Sequence, residues 1–441
     1  MKILSVWPPH VPSYFNAGHH LPIFQVGAYL RNLPFVEEVN CLDAGVLNLT
    51  WKDISDYLVQ GEYDLIAIMN DFDAIDDLKR FIKYIRTLSP KTKIITFGRL
   101  SKQVPNFFKK FDLDAIVHSG DNEAGVAAYI QYLNSNSENN PPGVYVRNEE
   151  QWTEEYIPGT FLEADEWALP NIQEIPYEHY DFMYRRDQNK FCGIPERREL
   201  VVPLARGCPI GCEFCDVSKL QGLRERRLPV QQVLSYIEDS FEKLPFDYVT
   251  FYAPTFTLKR RWVLEFCSEL IKRERNYPWK CVTTTYHLDE QLIELMARSG
   301  CFRISIGIET LDPAAGDSLP RIKREAEEKF ESVANWCLKH GIELNCFVIL
   351  GLPGESVEGA RYTIQRIIDK KARVRPTIYT PYNLMDEEMD EDMISSFNRQ
   401  LFVDGIVDEN DAIEFYQMFF GKGYSPTQIM KKIPKNEQIS L

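Results

Sequence analysis

Short apolar runs alternate with stretches of helical period from the first residue onward. The runs at 2–6, 39–42, 64–69, 93–97 and 115–117 have the length and composition of strands buried on both faces. The intervening stretches at 22–33, 51–59, 75–88, 102–111 and 123–133 repeat apolar positions at helical spacing. Five strands, each followed by a helix, predict a doubly wound parallel five-stranded sheet of Rossmann type over residues 1–140, with ligands expected outside the carboxyl ends of its strands. The polar run at 134–143 closes on Pro-Pro-Gly and marks the boundary. Residues 141–198 are rich in proline and aromatics and read as an extended connector, too aromatic for a floppy linker. The alternation then resumes. Strands at 199–205, 248–252, 280–284, 303–307, 344–350 and 377–380, with helices at 230–244, 260–275, 290–298, 323–340 and 359–370, predict a partial parallel (β/α)6 barrel over 199–384. Residues 385–441 predict a small helical C-terminal region, with helices from 387, at 412–420 and at 426–432. The fold class is α/β.

Composition narrows the function. A chain of 441 residues exceeds the size at which one core stops growing, which agrees with two or three domains. Fifty basic against 65 acidic residues, a net charge of −15, argue against a general nucleic-acid or anionic-membrane surface. No run of about 20 apolar residues occurs to span a membrane, and the opening apolar run is too short for a signal peptide. Ten cysteines spread along a long chain, rather than packed into a small scaffold, lead us to expect a reducing cytoplasm. Cys301, Cys337 and Cys346 lie in apolar stretches and read as buried thiols of the core.

Chemistry concentrates in Arg206-Gly207-Cys208-Pro209-Ile210-Gly211-Cys212-Glu213-Phe214-Cys215, with three cysteines at the spacing C-x3-C-x2-C directly after the first barrel strand. Structural zinc uses paired knuckles and four ligands, and the sequence has no second knuckle. A four-iron cluster takes four thiolates, so three leave one iron open to an outside ligand. This stretch resembles the radical S-adenosylmethionine (SAM) superfamily. The resemblance implies that Cys208, Cys212 and Cys215 bind a 4Fe-4S cluster whose fourth iron is chelated by SAM, and that Phe214 packs near the adenine. Ser305-Ile306-Gly307-Ile308-Glu309 resembles the family's turn after the fourth strand, which gives Glu309 a contact with the SAM ribose or amino group. Leu350-Gly351-Leu352-Pro353-Gly354 resembles the fifth-strand turn, which lets the Gly351 backbone approach adenine. Ile378-Tyr379-Thr380-Pro381-Tyr382 resembles the sixth-strand end of the subgroup that uses cobalamin.

The first domain resembles the cobalamin-binding domain of that radical SAM subgroup. The likeness rests on Trp7-Pro8-Pro9, Gly18, Leu21-Pro22-Ile23 and Gly27-Ala28-Tyr29-Leu30 at its start, and on Ser119-Gly120-Asp121-Asn122-Glu123 at its end. It implies cofactor contacts at Gly98 and Gly120. Phe97-Gly98-Arg99 replaces the subgroup's Gly-Gly pair, and Asn70-Asp71-Phe72-Asp73 replaces a Ser/Thr-rich turn. None of the seven histidines stands in the Asp-x-His-x-x-Gly signature that supplies cobalt with an axial ligand elsewhere, so a histidine on cobalt is not expected. His10, His19 and His20 fall on the expected ligand side, where loop histidines are commonly just solvated. Asp71, Asp73, Asp76 and Asp77 suit a helix start.

The subgroup's acidic turn after the second barrel strand is replaced by Tyr252-Ala253-Pro254-Thr255-Phe256-Thr257, which leaves Thr255 or Thr257 to take over. Tyr252, Tyr286, Tyr379 and Tyr382 end near strand C-termini. They are candidate catalytic donors of a proton or hydrogen atom, with barrel-rim packing the alternative. The resemblance implies reductive cleavage of SAM to a 5′-deoxyadenosyl radical that abstracts hydrogen from a small-molecule biosynthetic intermediate. A one-electron donor such as flavodoxin or ferredoxin would be a partner. Cobalamin-dependent C-methylation is the preferred outcome. Cobalamin-free dehydration, decarboxylation, epimerisation or rearrangement of a sugar-like or aminoglycoside-like substrate stays open, as does a non-catalytic cluster-binding partner. Substrate identity and oligomeric state are not legible.

Overall fold

Leu65–Asn70 is buried along its whole length, the mark of a strand covered on both faces of a parallel sheet. In the computed structural model, which describes residues 1–9, 20–135, 139–184, 194, 197–273, 275–324, 326–398 and 401–420, it is β3 of a sheet that begins with β1 (Lys2–Trp7) and β2 (Glu38–Asp43). β4 (Lys93–Gly98) and β5 (Ala115–Val117) continue it, and all five pair in parallel in the order β2-β1-β3-β4-β5. The connecting helices are α1 (Leu21–Leu30), α2 (Trp51–Gly61), α3 (Ile75–Leu88), α4 (Arg99–Gln103) and α5 (Asn122–Ser135). Thr50 and Asp53 form a reciprocal capping box at the start of α2, satisfying backbone donors that have no partner within the helix. Gly18, His10, His19 and the expected helix at 426–432 lie outside the described residues.

Two sequence expectations need correction. The stretch read as connector contains β6 (Val144–Asn148) and β7 (Gln151–Trp152), which extend the sheet antiparallel from β5 and make it seven-stranded. Pairing covers an edge that would otherwise expose its backbone groups, and strands this short leave little periodicity to read. The helix expected at 102–111 is broken. α4 stops at Gln103, Val104 turns to an extended φ of −131°, and Pro105–Lys110 is a 3-10 helix. Proline disfavours helical backbone in the residue before it. α6 (Tyr177–Tyr184) follows the second antiparallel strand.

The second unit is built on β8 (Glu199–Pro203). After the hairpin β9 (Ala205–Arg206) and β10 (Arg226–Arg227), with α7 (Val217–Gln221), most of which groups with the first unit, between them in sequence, the chain runs through α8 (Val230–Lys243), β11 (Tyr248–Tyr252), α9 (Arg260–Ile271), β12 (Trp279–Thr283) and α10 (Glu290–Arg298). It continues with β13 (Cys301–Glu309), α11 (Ala326–Lys339), β14 (Glu343–Leu350), α12 (Val357–Asp369) and β15 (Arg373–Ile378). Six strands pair in parallel in chain order, β8-β11-β12-β13-β14-β15, so the partial six-stranded parallel barrel is present. Cys267, Cys281, Cys301, Cys337 and Cys346 are buried free thiols. Burial pushes Cys267 and Cys337 up to about 12, which suits core packing. Of the C-terminal region, Leu384–Asn398, with α13 (Glu391–Ser395), groups with the first unit and residues 401–420, with α14 (Glu409–Phe420), with the second.

The amino end of the barrel carries a buried charged layer. Glu199 accepts hydrogen bonds from the Tyr248 and Thr250 hydroxyls, each 2.9 Å, and pairs with Lys280 at 3.3 Å. Glu343 pairs with both Arg303 and Arg373 at 3.0 Å. The carboxyl ends of the strands are left for the site.

Candidate functional site

β8 and β9 deliver the chain into the cysteine loop, which turns through Gly207 (φ +85°) and Gly211 (φ +65°). Positive φ is strained for a side-chain-bearing residue. Cys208, Cys212 and Cys215 are half-buried and outside any disulfide. Cys212 lies within electrostatic reach of both others, and burial pushes it up to about 11 while the Lys323 ammonium acts the other way. Among the described residues no three His, Cys, Asp or Glu side chains converge tightly enough for a single metal ion. Three thiols of one loop that act on one another electrostatically, beside a cation, fit a polynuclear iron-sulfur cluster, which takes several thiolates and is stabilised by positive charge.

The cation is a residue that sequence reasoning missed. Lys323, in the 3-10 turn Arg321–Lys323, contacts the Glu309 carboxylate directly and stands 5.4 Å over the Phe214 ring. Burial alone would lower its ammonium, but Glu309 and then Cys212 raise it above the usual value, so the charge is held. Glu309 ends β13 with φ +62°, where the register to β14 slips past Gly307. Left-handed backbone is uncommon for glutamate, and such strain gathers at functional sites. A Cβ at Gly307 would come within 2.3 Å of the Glu309 carboxylate. Nothing in the spacing of Arg321-Ile322-Lys323 points to this role.

Other sequence candidates divide. Phe214 and Tyr379 pack on a buried cluster of Ala315, Leu319, Ile349 and Leu352, which brings Tyr379 to the same corner as Phe214. Tyr382 is buried, whereas Tyr252 and Tyr286 are exposed by 43% and 54%. Gly351 (φ +79°) meets this chain's own Phe402, whose ring lies 2.5 Å from where a Cβ would be, and its N–H donates to Glu355 at 2.8 Å. Thr257 is occupied by a hydroxyl contact with Thr283. The turn after β11 is held instead by Arg227, which donates to the Thr255 and Phe256 carbonyls at 3.0 and 2.7 Å and pairs with Glu225.

Residues 202–367 match the family model of the radical SAM superfamily. This stretch is a radical SAM domain. Over 233 residues the chain is 28% identical to the anaerobic magnesium-protoporphyrin IX monomethyl ester cyclase of Rubrivivax gelatinosus, covering 51% of this chain and 41% of the cyclase. Over 243 residues it is 23% identical to the hopanoid C-2 methylase of Rhodopseudomonas palustris, covering 52% and 46%. The chain thus spans less than half the length of either relative. The structure of TsrM, a radical SAM methyltransferase from Kitasatospora setae with cobalamin and a 4Fe-4S cluster bound, superposes with a TM-score of 0.68 at 16% identity, covering 87% of this chain and 77% of that one. At that identity the likeness shows the fold, and its coverage exceeds the radical SAM domain. No helix among the described residues is long and apolar enough to cross a membrane.

In the first unit the expected cobalamin residues serve the chain itself. A Cβ on Gly98 (φ +144°) would lie 2.2 Å from the Asn70 carbonyl, and one on Gly120 (φ +79°) 2.7 Å from the backbone of Gly159 and Thr160. Phe97, bulky by sequence, is fully buried in the core. Arg99 stacks 5.0 Å from the Phe72 ring, and Asp71 caps the turn by accepting the Phe72 N–H. What fits a polar ligand is a set of buried side-chain atoms without hydrogen-bond partners among the described residues: His20 Nε2, Ser101 Oγ, Gln103 Nε2, His118 Nε2 and Asn122 Oδ1. All belong to segments following the carboxyl ends of β1, β4 and β5, the ligand edge of a doubly wound sheet. Buried polar atoms normally find partners, so this edge is chemically suited to a corrinoid with its peripheral amides.

Glu355, in the turn of the radical SAM domain after β14, gives a pH test. Burial raises its carboxyl to about 7, against hydrogen bonds from Thr310, Gly351 and Leu352. A raised acid stabilises the fold below its ordinary value of 4.5, and that contribution is lost as the pH rises through about 7. Stability should therefore fall from about pH 5 to about pH 8. Glu355→Gln is expected to match the wild type at the acid end and to exceed it by roughly 1–3 kcal/mol at the alkaline end. Parallel urea titrations of the two proteins check this, and identical pH slopes would exclude a raised Glu355.

Proposed function

We propose that this protein is an enzyme that cleaves SAM reductively and methylates a carbon of a small-molecule biosynthetic intermediate, with a corrinoid carried by its first unit. The observation that carries the proposal is the corner formed by Cys208, Cys212, Cys215, Phe214, Lys323 and Glu309 at the carboxyl ends of the barrel strands. The three thiols would hold the cluster. When bound, the cluster supplies the electron that breaks a C–S bond of SAM, and the corrinoid supplies the methyl group. Phe214 would pack on the adenine. Glu309 accepts from a hydroxyl or ammonium of SAM, and Lys323 opposes the carboxylate of its methionyl end. Tyr379, beside Phe214, is the candidate hydrogen donor of the four tyrosines best supported by its surroundings. The electron comes from a small one-electron carrier such as flavodoxin or ferredoxin.

Methylase names among the relatives and the unpartnered polar edge of the first sheet support methyl transfer. A second reading, radical dehydration, decarboxylation, epimerisation or rearrangement without cobalamin, is favoured by the close backbone packing at Gly98 and Gly120. Anaerobically reconstituted protein is incubated with hydroxocobalamin, freed of excess and examined by absorbance, then supplied with SAM and reductant. Corrinoid retained at about one per chain together with 5′-deoxyadenosine supports methylation. 5′-Deoxyadenosine without corrinoid transfers the proposal to the second reading, and neither product nor corrinoid leaves a cluster-binding partner. Lys323→Met is expected to raise the SAM concentration for half-maximal cleavage roughly 10- to 100-fold, the equivalent of one hydrogen bond to a charged group. An unchanged value removes Lys323 from the SAM site.

A further inference from the structure

A buried histidine in the first unit is built as a ligand. His20 lies between β1 and α1 and is 2% exposed. Its ring stacks on Trp7, the last residue of β1, with centroids 4.0 Å apart and planes inclined by 18°. Its Nδ1 lies 2.5 Å from Oδ2 of Asp43, the last residue of β2. The Tyr180 hydroxyl donates to the same carboxylate and accepts the His20 backbone N–H at 3.0 Å, while the Val46 N–H donates to the other Asp43 oxygen at 3.0 Å.

Each contact removes one freedom of the ring. Trp7 fixes its plane and Asp43 its rotation. An anionic acceptor on Nδ1 selects the tautomer with hydrogen there, which leaves the Nε2 lone pair bare. Nε2 is buried and has no hydrogen-bond partner among the described residues. Among the described residues, His118, His287 and His340 also have a buried Nε2 without a hydrogen-bond partner, and His20 differs from them in the carboxylate held on its Nδ1. A carboxylate on one nitrogen and an open lone pair on the other is how proteins orient a histidine toward a metal and raise its basicity.

We infer that His20 Nε2 is the axial ligand that this protein offers to the cobalt of its corrinoid, with Asp43 as its positioning residue. This rests on the corrinoid reading of the first unit. It also departs from the sequence motif, since the carboxylate comes from the next strand of the sheet rather than from two residues before the histidine.

Cob(II)alamin is the probe, bound to full-length reconstituted protein with the cluster in its oxidised, diamagnetic form. In its electron paramagnetic resonance spectrum one axial nitrogen splits each cobalt line into three if it is 14N and into two if it is 15N. Unlabelled protein is expected to give triplets, and protein grown with 15N-histidine doublets. His20→Ala and His20→Gln are expected to lose the protein-derived splitting while binding corrinoid within a few fold of the wild type. Asp43→Asn should retain corrinoid with a weakened splitting. Triplets that persist in the 15N-histidine protein assign the nitrogen to the corrinoid's own base and overturn the inference. So do lines without nitrogen splitting, or doublets that survive in either His20 variant. In all three cases the corrinoid is retained and the proposed function stands. Wild-type protein that retains no corrinoid overturns both.

Discussion

Cys208→Ala is expected to abolish SAM cleavage while leaving the fold intact. The variant should lose the broad visible absorbance of a reconstituted iron-sulfur cluster and should form no 5′-deoxyadenosine above the level without enzyme. Its far-ultraviolet circular dichroism should match the wild type. Cys208 lies in a loop and is only half-buried, so trimming its thiol removes little packing, yet it takes away one of the three proposed ligands of the cysteine loop. Two remaining thiolates do not hold a four-iron cluster that normally takes four ligands. Cys212→Ala and Cys215→Ala should behave alike, because the three act as one unit. Cys337→Ala is the control, a buried thiol of the core whose loss should lower stability modestly and leave the cluster in place. Cluster formation and SAM cleavage in Cys208→Ala at wild-type levels would remove the cysteine loop from the chemistry.

Glu343→Ala is expected to destabilise the barrel by about 3–5 kcal/mol, the usual consequence of removing one partner from a buried ion pair. Arg303 and Arg373 converge on this one carboxylate at the amino end of β13 and β15, and all three side chains are almost wholly buried. Without Glu343 two guanidinium groups face each other out of water, and burial already draws Arg303 below its ordinary value. The triple replacement Arg303→Met, Glu343→Leu, Arg373→Met should recover most of the loss, since apolar groups of similar volume can replace a buried ion triad without penalty. Urea unfolding followed through the transition of the barrel checks both proteins. A shift below about 1 kcal/mol in the single variant would mean that water or neighbouring groups solvate the pair of arginines.

Much of this was legible along the chain, for physical reasons that can be named. Parallel strands buried on both faces must be short continuous apolar runs, so β3 is visible without any knowledge of its neighbours. α3 and α10 were placed to the residue because their apolar stripes are regular and their first turns carry acidic residues. The cysteine loop was legible because three cysteines at close spacing are a property of consecutive residues. Where a role depends on one element meeting another, the sequence was silent or misleading. Pro105 signals a break only to a reader who weighs it above the apolar period around it, and β6 and β7 are too short to show a period at all.

The sequence by itself determined the two α/β units, the cysteine loop and the radical SAM resemblance, because periodicity and close spacing are properties of the linear chain. Tertiary structure decided which polar residues matter. Lys323 meets Glu309 and Phe214, and Asp43 meets His20 and Tyr180, only after strands far apart in sequence bring their ends together. It also decided that Gly98, Gly120 and Gly351 make room for the chain's own atoms, because a missing Cβ says that something comes close without saying what. Glu309 then held the charge of Lys323 against burial, and burial raised Glu355, since the energy of an ionised group depends on its surroundings in space and not on its neighbours in sequence.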